Sequence, residues 1–189
     1  MGDGSIGRAL EVDVSLAPEV PRVDFRALFE REAAFVLRSL RRLGVLEKDL
    51  EDLVHEVFLS VYQKLGTYDP ARPIRPWLFA FAFRAASHYR RRARRETDLE
   101  GVAEPPCPRE AADDLLERDA KRRLLLDALD HLDLDRRAVF IMHELDDVPC
   151  PEIARALAIP LGTVYSRLRL AREDLESTVR RLKAQRGWS

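Results

Sequence analysis

Residues 151–169 read PEIARALAIPLGTVYSRLR, and the reading of this stretch decides the fold. Pro151 to Ala158 has the spacing of a short amphipathic helix, Ile159 to Gly162 that of a tight turn, and Thr163 opens a longer helix. Ala154 is small enough for two helices to cross closely, and Ile153, Leu157, Ile159, Val164 and Leu168 fall on their shared seam. This is a helix-turn-helix pattern, whose second helix fits a DNA major groove about 12 Å wide. Tyr165, Ser166, Arg169, Arg172 and Glu173 point outward. An ordinary helical hairpin has the same apolar spacing, but the turn and the arginines beyond it favour DNA.

Working outward, the helical period recurs along the chain. The last helix runs to about Lys183 on a stripe of Val164, Leu168, Ala171, Leu175, Val179 and Leu182. Upstream, Leu115 to Leu132 makes one or two helices, and Arg136 to Leu145 another with Val139, Met142 and Leu145 inward. In the first half, Asp24 to Leu43 ends at Gly44, and Glu47 to Leu65 carries Leu50, Leu53, Val54, Val57, Phe58 and Val61 on one face. A loop with Pro70, Pro73 and Pro76 leads into a helix from Trp77 toward Arg92, nearly apolar all round where it starts. No segment alternates like a strand. The expected fold is all-α, two small helical bundles joined by a flexible acidic linker, the C-terminal one containing the helix-turn-helix. The boundaries are a leader over 1–22, a first domain over 23–95, a linker over 96–112 and a second domain over 113–185.

Charge separates along the chain although the 189 residues sum to a net charge of −1. Arg75 to Arg95 holds seven arginines and no acid, whereas Glu96 to Asp119 carries a net −7. Near-neutrality excludes a uniformly basic coat protein but not a local basic track. Arginine supplies 28 of the 32 basic residues, a bias that suits phosphates and guanine edges. The two cysteines, Cys107 and Cys150, lack zinc-ligand spacing and fit a reducing compartment. With no signal peptide and no run of 18 apolar residues, a cytoplasmic protein without membrane insertion is expected. His55-Glu56 and His143-Glu144 lack the second histidine of a zinc helix, and Asp146-Asp147 reads as a solvated helix end. No phosphate loop, activated serine or Cys/His pair is present, so no catalytic residue, metal or cofactor is expected.

Asp49-Leu-Glu-Asp-Leu-Val-His-Glu-Val-Phe58, then Pro76-Trp77-Leu78 with its arginine-ended helix, then Glu152-Ile-Ala and Gly162-Thr-Val-Tyr-Ser-Arg-Leu form an ordered set. In that order and spacing the chain resembles the extracytoplasmic-function sigma factors, the sigma-70 group with regions 2 and 4 only. The resemblance covers about 24–95 and 113–185. It implies a partner for each surface. Asp49, Asp52, Leu53, His55, Glu56 and Phe58 match the helix that docks on the clamp helices of the largest subunit of core RNA polymerase. His55 stands where the family often has glutamine.

Tyr68, Arg72, Arg75, Arg84, His88, Tyr89, Arg91 and Arg92 match the part that reads the −10 element and captures an extruded base. These are the aromatic platforms and basic track that unstacked DNA needs. Trp77, Phe79, Phe81 and Phe83 are better read as core. The family's usual Ala-Arg-Asn segment is replaced by Ala82-Phe83-Arg84, so its −10 sequence preference does not transfer. Thr163, Tyr165, Ser166, Arg167, Arg169 and Leu170 match the −35 reader, with Leu170 where arginine is frequent. Promoter DNA, core polymerase (including the flap of its second-largest subunit) and an anti-sigma factor are the implied partners. Two other readings are a LuxR-like helix-turn-helix regulator and an adaptor that mimics a sigma factor. The first lacks a phosphoacceptor or ligand-domain pattern upstream, and the second leaves both basic tracts without a use.

Overall fold

The Asp24 carboxylate starts the first helix. Its Oδ1 accepts from the backbone N–H of Arg26 at 2.9 Å and of Ala27 at 3.4 Å, donors that a helix N-terminus otherwise leaves unpaired. The computed structural model describes residues 24–100 and 116–185, with side chains over 24–95 and 120–185. The leader 1–22, residues 101–112 of the expected linker and Cys107 lie outside the described residues.

Helix α1 (Phe25–Arg42) buries Leu28, Phe35, Val36 and Leu40 on one face. Gly44 ends it at φ +90°, a conformation that costs glycine little, and Val45 N–H closes back on Leu40 C=O at 3.1 Å. Helix α2 (Leu50–Lys64) is tightened at both ends by 3₁₀ turns, Glu47–Asp49 and Leu65–Thr67, so the expected 47–65 helix has only its middle in α geometry. Neither turn has a side-chain cap, and i→i+3 bonds take up the end groups instead. Helix α3 (Ile74–Glu100) starts before Trp77 and continues through 96–100, which the sequence assigns to the linker. Pro76 sits in its first turn, where the missing N–H removes no helical bond, and neither Pro nor Gly occurs from Trp77 to Glu100. Leu78, Phe79, Phe81, Ala82 and Ala86 are buried, so the aromatic start of α3 serves packing, with Trp77 and Phe83 half-buried at its margin. The three helices pack on one another in every pairing.

The second half contains α4 (Leu116–Asp130), α5 (Leu134–Phe140), α6 (Cys150–Leu157) and α7 (Leu161–Gln185). Where the sequence leaves one or two helices open, the described residues form the single helix α4. Helix α5 widens into a π turn over Ile141–Leu145, with Asp146 N–H reaching Ile141 C=O at 3.1 Å. Ala158 takes the left-handed conformation (φ 54°) that stops α6, and Ile159 N–H bonds Ala154 C=O at 3.0 Å. Pro160 C=O then accepts from Thr163 and Val164, so α7 begins two residues before Thr163. Ile153, Val164, Leu168 and Ala171 are buried, and α7 packs on α4, α5 and α6.

The fold is all-α, with no strand among the described residues. The halves are not separate bodies, however. Helix α3 packs on α6, and the buried apolar residues of both halves form one cluster. Apolar periodicity marks which face of a helix is buried but not whether a helix of the same half covers it.

Candidate nucleic-acid interface

Three surfaces carry the residues that the sequence singles out. On α2, Asp52, His55 and Glu56 are exposed along one face, and Leu53 is half-buried beside them. Asp49 is drawn inward, its Oδ2 accepting the Tyr89 hydroxyl at 2.7 Å. Phe58 is not on this face at all. It is 2% exposed and packs edge-on against Phe29, with ring centroids 4.7 Å apart. Its expected contact with a partner is corrected to a core role, because it follows Val54 by four residues on the buried side of α2. The sequence reading missed Leu59 and Tyr62, 60% and 61% exposed. They extend the Asp52–Glu56 face by helical spacing into an acidic-then-apolar strip. The signal was available in the register, since neither residue lies on the buried stripe.

The second surface joins the loop after α2 to α3. A cleft of about 550 Å³ between α2 and α3 is lined by Gln63, Lys64, Trp77, Phe81, Arg84 and His88, among others. The Arg84 guanidinium stands 4.5 Å from the Phe81 ring centroid, and partial burial lowers its pKa. The cleft thus combines aromatic rings with cationic and hydrogen-bonding side chains. Tyr68 lies 5.1 Å from Trp77, ring to ring, and its hydroxyl donates to Arg72 C=O at 2.5 Å; burial raises that phenol's pKa. Arg72 pairs with Asp69 at 3.0 Å. Arg75 holds the buried Glu32 carboxylate at 2.9 Å and lies over Phe35, so it braces α3 on α1. Arg91, Arg92 and His88 are exposed, whereas Tyr89 is half-buried. Gln63 and Lys64 were not among the expected residues because the α2–α3 cleft is a product of packing.

The third surface is the start of α7. Tyr165, Ser166 and Arg169 are exposed, and Thr163, Arg167 and Leu170 are half-buried. Ser166 Oγ donates to Thr163 C=O at 3.0 Å. Arg169 Nη1 meets Glu173 at 2.6 Å on an exposed face, a pairing that adds little stability. Arg167 instead donates to Asp135 at 2.5 Å and ties α7 to α5. Asp146 is not the solvated helix end that the sequence suggests. Its Oδ1 accepts from Arg42 at 2.8 Å, with the Asp146 side chain 13% exposed. Among the described residues no cluster could hold a metal ion, and no helix is long and apolar enough to cross a membrane.

Comparison with known proteins follows the same division. Residues 28–96 match the family Sigma-70 region 2, and residues 122–175 match Sigma-70, region 4. The ECF RNA polymerase sigma factor SigL of Mycobacterium tuberculosis is 33% identical over 162 residues, covering 85% of this chain and 92% of that one. The solved structure of CnrH in complex with the cytosolic domain of CnrY superposes with a TM-score of 0.57 at 25% identity, over 81% of this chain and 85% of that one. RpoE from Bartonella quintana, solved with the anti-sigma factor NepR, shares the fold at a TM-score of 0.64 and 22% identity, over 83% and 97% of the two chains.

Proposed function

This chain belongs to the extracytoplasmic-function RNA polymerase sigma factors, and we propose that it divides their task among the three surfaces described above. As a sigma factor it binds core RNA polymerase and directs promoter-specific transcription initiation. The exposed strip of Asp52, His55, Glu56, Leu59 and Tyr62 docks on core polymerase, acidic residues steering and apolar ones anchoring. Asp49 and Leu53 support that strip from its inner edge. The cleft between α2 and α3, with Tyr68, Arg72, Arg84, His88, Arg91 and Arg92 around it, takes the melted −10 strand; Tyr89 ties α3 to the start of α2, and Arg75 braces α3 on α1. Tyr165, Ser166 and Arg169 read the −35 element, while Thr163, Arg167 and Leu170 seat α7 in the groove.

The observation that carries this reading is the aromatic and cationic cleft lying on the same helix as the arginine run, one half of the chain away from an outward-facing α7. A LuxR-like regulator is not favoured, since residues 28–96 match region 2. Phosphodiester chemistry belongs to the polymerase, so this subunit carries no catalytic residue and works in the cytoplasm with it. A regulatory partner of the anti-sigma kind is proposed as well, in keeping with the solved complex of the similar CnrH with the cytosolic domain of CnrY. The test is reconstitution: purified chain with core polymerase should give discrete run-off transcripts from genomic DNA. Transcripts identical to those of core polymerase alone would refute it.

A further inference from the structure

We propose that Arg31 and Arg75, pinned together on the buried carboxylate of Glu32, form a guanidinium fork that takes a backbone phosphate of the promoter strand beside the −10 cleft. The inference rests on the functional reading above and adds helix α1, to which that reading gives no contact with DNA. Glu32 Oε1 accepts from Arg31 Nε at 3.0 Å, and Glu32 Oε2 accepts from Arg75 Nε at 2.9 Å. Burial across the trio is unequal: the Glu32 side chain is 5% exposed, against 62% for Arg31 and 57% for Arg75. A carboxylate that deep is costly unless paired, so it holds both guanidiniums firmly. Each arginine uses only its Nε for that pairing. The terminal Nη nitrogens of both have no hydrogen-bond partner among the described residues. Arg75 is fixed further by the Phe35 ring, whose centroid lies 5.4 Å from its guanidinium carbon.

Bracing the helices accounts for one of the two arginines only. Arg75 comes from α3 and ties it to α1, but Arg31 precedes Glu32 on the same helix, so its pairing joins no two elements. Neighbouring residues of a helix ordinarily project in different directions, and Arg31 bends back to reach Glu32. What the second arginine adds is charge and donors. Two cations against one anion leave a net +1, and planar Nη–H groups suit the free oxygens of a phosphodiester. Side chains held before the ligand arrives lose less entropy when it binds. The neighbourhood indicates a nucleic-acid backbone. Tyr68 packs its ring on Trp77 of the cleft at 5.1 Å, and Arg31 lies near enough for its charge to act on the Tyr68 phenol. Arg91 is sixteen residues beyond Arg75 on α3, about 24 Å away at about 1.5 Å per residue. The fork and the arginine run therefore stand at opposite ends of the helix that walls the cleft. A strand that lies in the cleft and leaves past Tyr68 brings its next phosphates to the fork.

The test uses the full chain assembled with core polymerase, on a promoter fragment identified by run-off transcription. Uncharged methylphosphonate linkages are placed one at a time through the −10 element and its flanks. The wild-type complex should lose affinity at a small set of linkages. Arg31→Ala should be indifferent at one of them, respond like wild type at the rest, and flatten the dependence of affinity on salt by about 0.7–0.9. Because Arg31 is exposed, this variant should keep its helices by circular dichroism and pull down core polymerase as wild type does. Glu32→Gln tests the pin by the sign of its effect. Removal of a negative charge near DNA strengthens binding where charge alone matters. The fork predicts weaker binding and loss of the same linkage response, with both arginines still in place; stronger binding would overturn the role of Glu32. Arg31→Ala with a wild-type response at every linkage and an unchanged salt slope would overturn the fork and leave the sigma function standing. A wild-type complex that shows no promoter specificity would overturn the functional reading and the fork together.

Discussion

Tyr89 donates its hydroxyl to Asp49 Oδ2 at 2.7 Å, fastening the arginine-rich helix α3 to the start of the docking helix α2. The contact couples the surface assigned to polymerase with the surface assigned to the −10 strand. A hydrogen bond to a carboxylate contributes about 1.5–3 kcal/mol. Tyr89→Phe should therefore lower Tm by roughly 4–10 °C. Thermal unfolding of Tyr89→Phe, Asp49→Ala and the double variant checks this: the double change should cost clearly less than the sum of the single ones. Additive effects would show that the two side chains act independently.

Phe58 and Glu56 are two residues apart and should behave oppositely. Phe58→Ala empties a core position and should destabilise the chain by about 3–5 kcal/mol. Asp52→Arg with Glu56→Arg should cost under about 0.5 kcal/mol each while weakening core-polymerase binding. Urea unfolding and a pull-down on immobilised core enzyme separate the two effects. Leu59→Ser should weaken the pull-down as well, without loss of stability, because its side chain is exposed.

These pairs also show what was legible in the sequence. Helical spacing located the helices within a few residues, except for the end of α3, which runs on to Glu100, and identified the buried faces of α1, α2 and α7. The register that buries Val54 and Val57 also buries Phe58, whereas the resemblance to a docking helix implies a partner contact for it. Tyr89–Asp49 and Arg42–Asp146 join residues 40 and 104 positions apart. No local pattern encodes contacts of that kind, because they depend on how helices cross. The π turn escaped for a related reason, since one extra residue in a helical turn leaves the apolar composition unchanged. The exposure of Tyr165, Ser166 and Arg169 was readable from helical period alone, whereas the half-burial of Thr163, Arg167 and Leu170 was not.

Asp146 gives a dependence on pH. Its carboxyl is held above the ordinary range, chiefly by burial, while Arg42, Arg38 and Arg75 act in the lowering direction. A carboxyl raised in the folded state binds protons more tightly there than in the unfolded chain, so its burial penalty is absent in acid and grows as pH rises through the folded pKa. Asp146→Asn keeps an acceptor for Arg42 and removes that penalty. It should be at least as stable as wild type near about pH 7, and its advantage should shrink toward about pH 5. Paired denaturant titrations at the two pH values test the sign, and a large loss at neutral pH would show that the ion pair dominates.

The arginine run at the end of α3 should act through phosphates. Arg91→Ala with Arg92→Ala should reduce promoter affinity and flatten its dependence on salt by about 0.7–0.9 per lost contact. A log–log plot of affinity against salt reads this directly; an unchanged slope would assign these arginines to solubility.

The central claim is that one chain supplies two separate sequence readers to the polymerase. Its most direct test is sequencing of run-off transcripts made by core enzyme and this chain from a library randomised at both elements. The account predicts two short preferred blocks at fixed spacing. Arg169→Ala should relax one base of the upstream block, a loss of about 1–3 kcal/mol of discrimination, and leave the downstream block intact. Arg167→Ala, which loses the tie to Asp135, should weaken all upstream sequences about equally. A single block, or an upstream block indifferent to Tyr165, Ser166 and Arg169 alike, would contradict it.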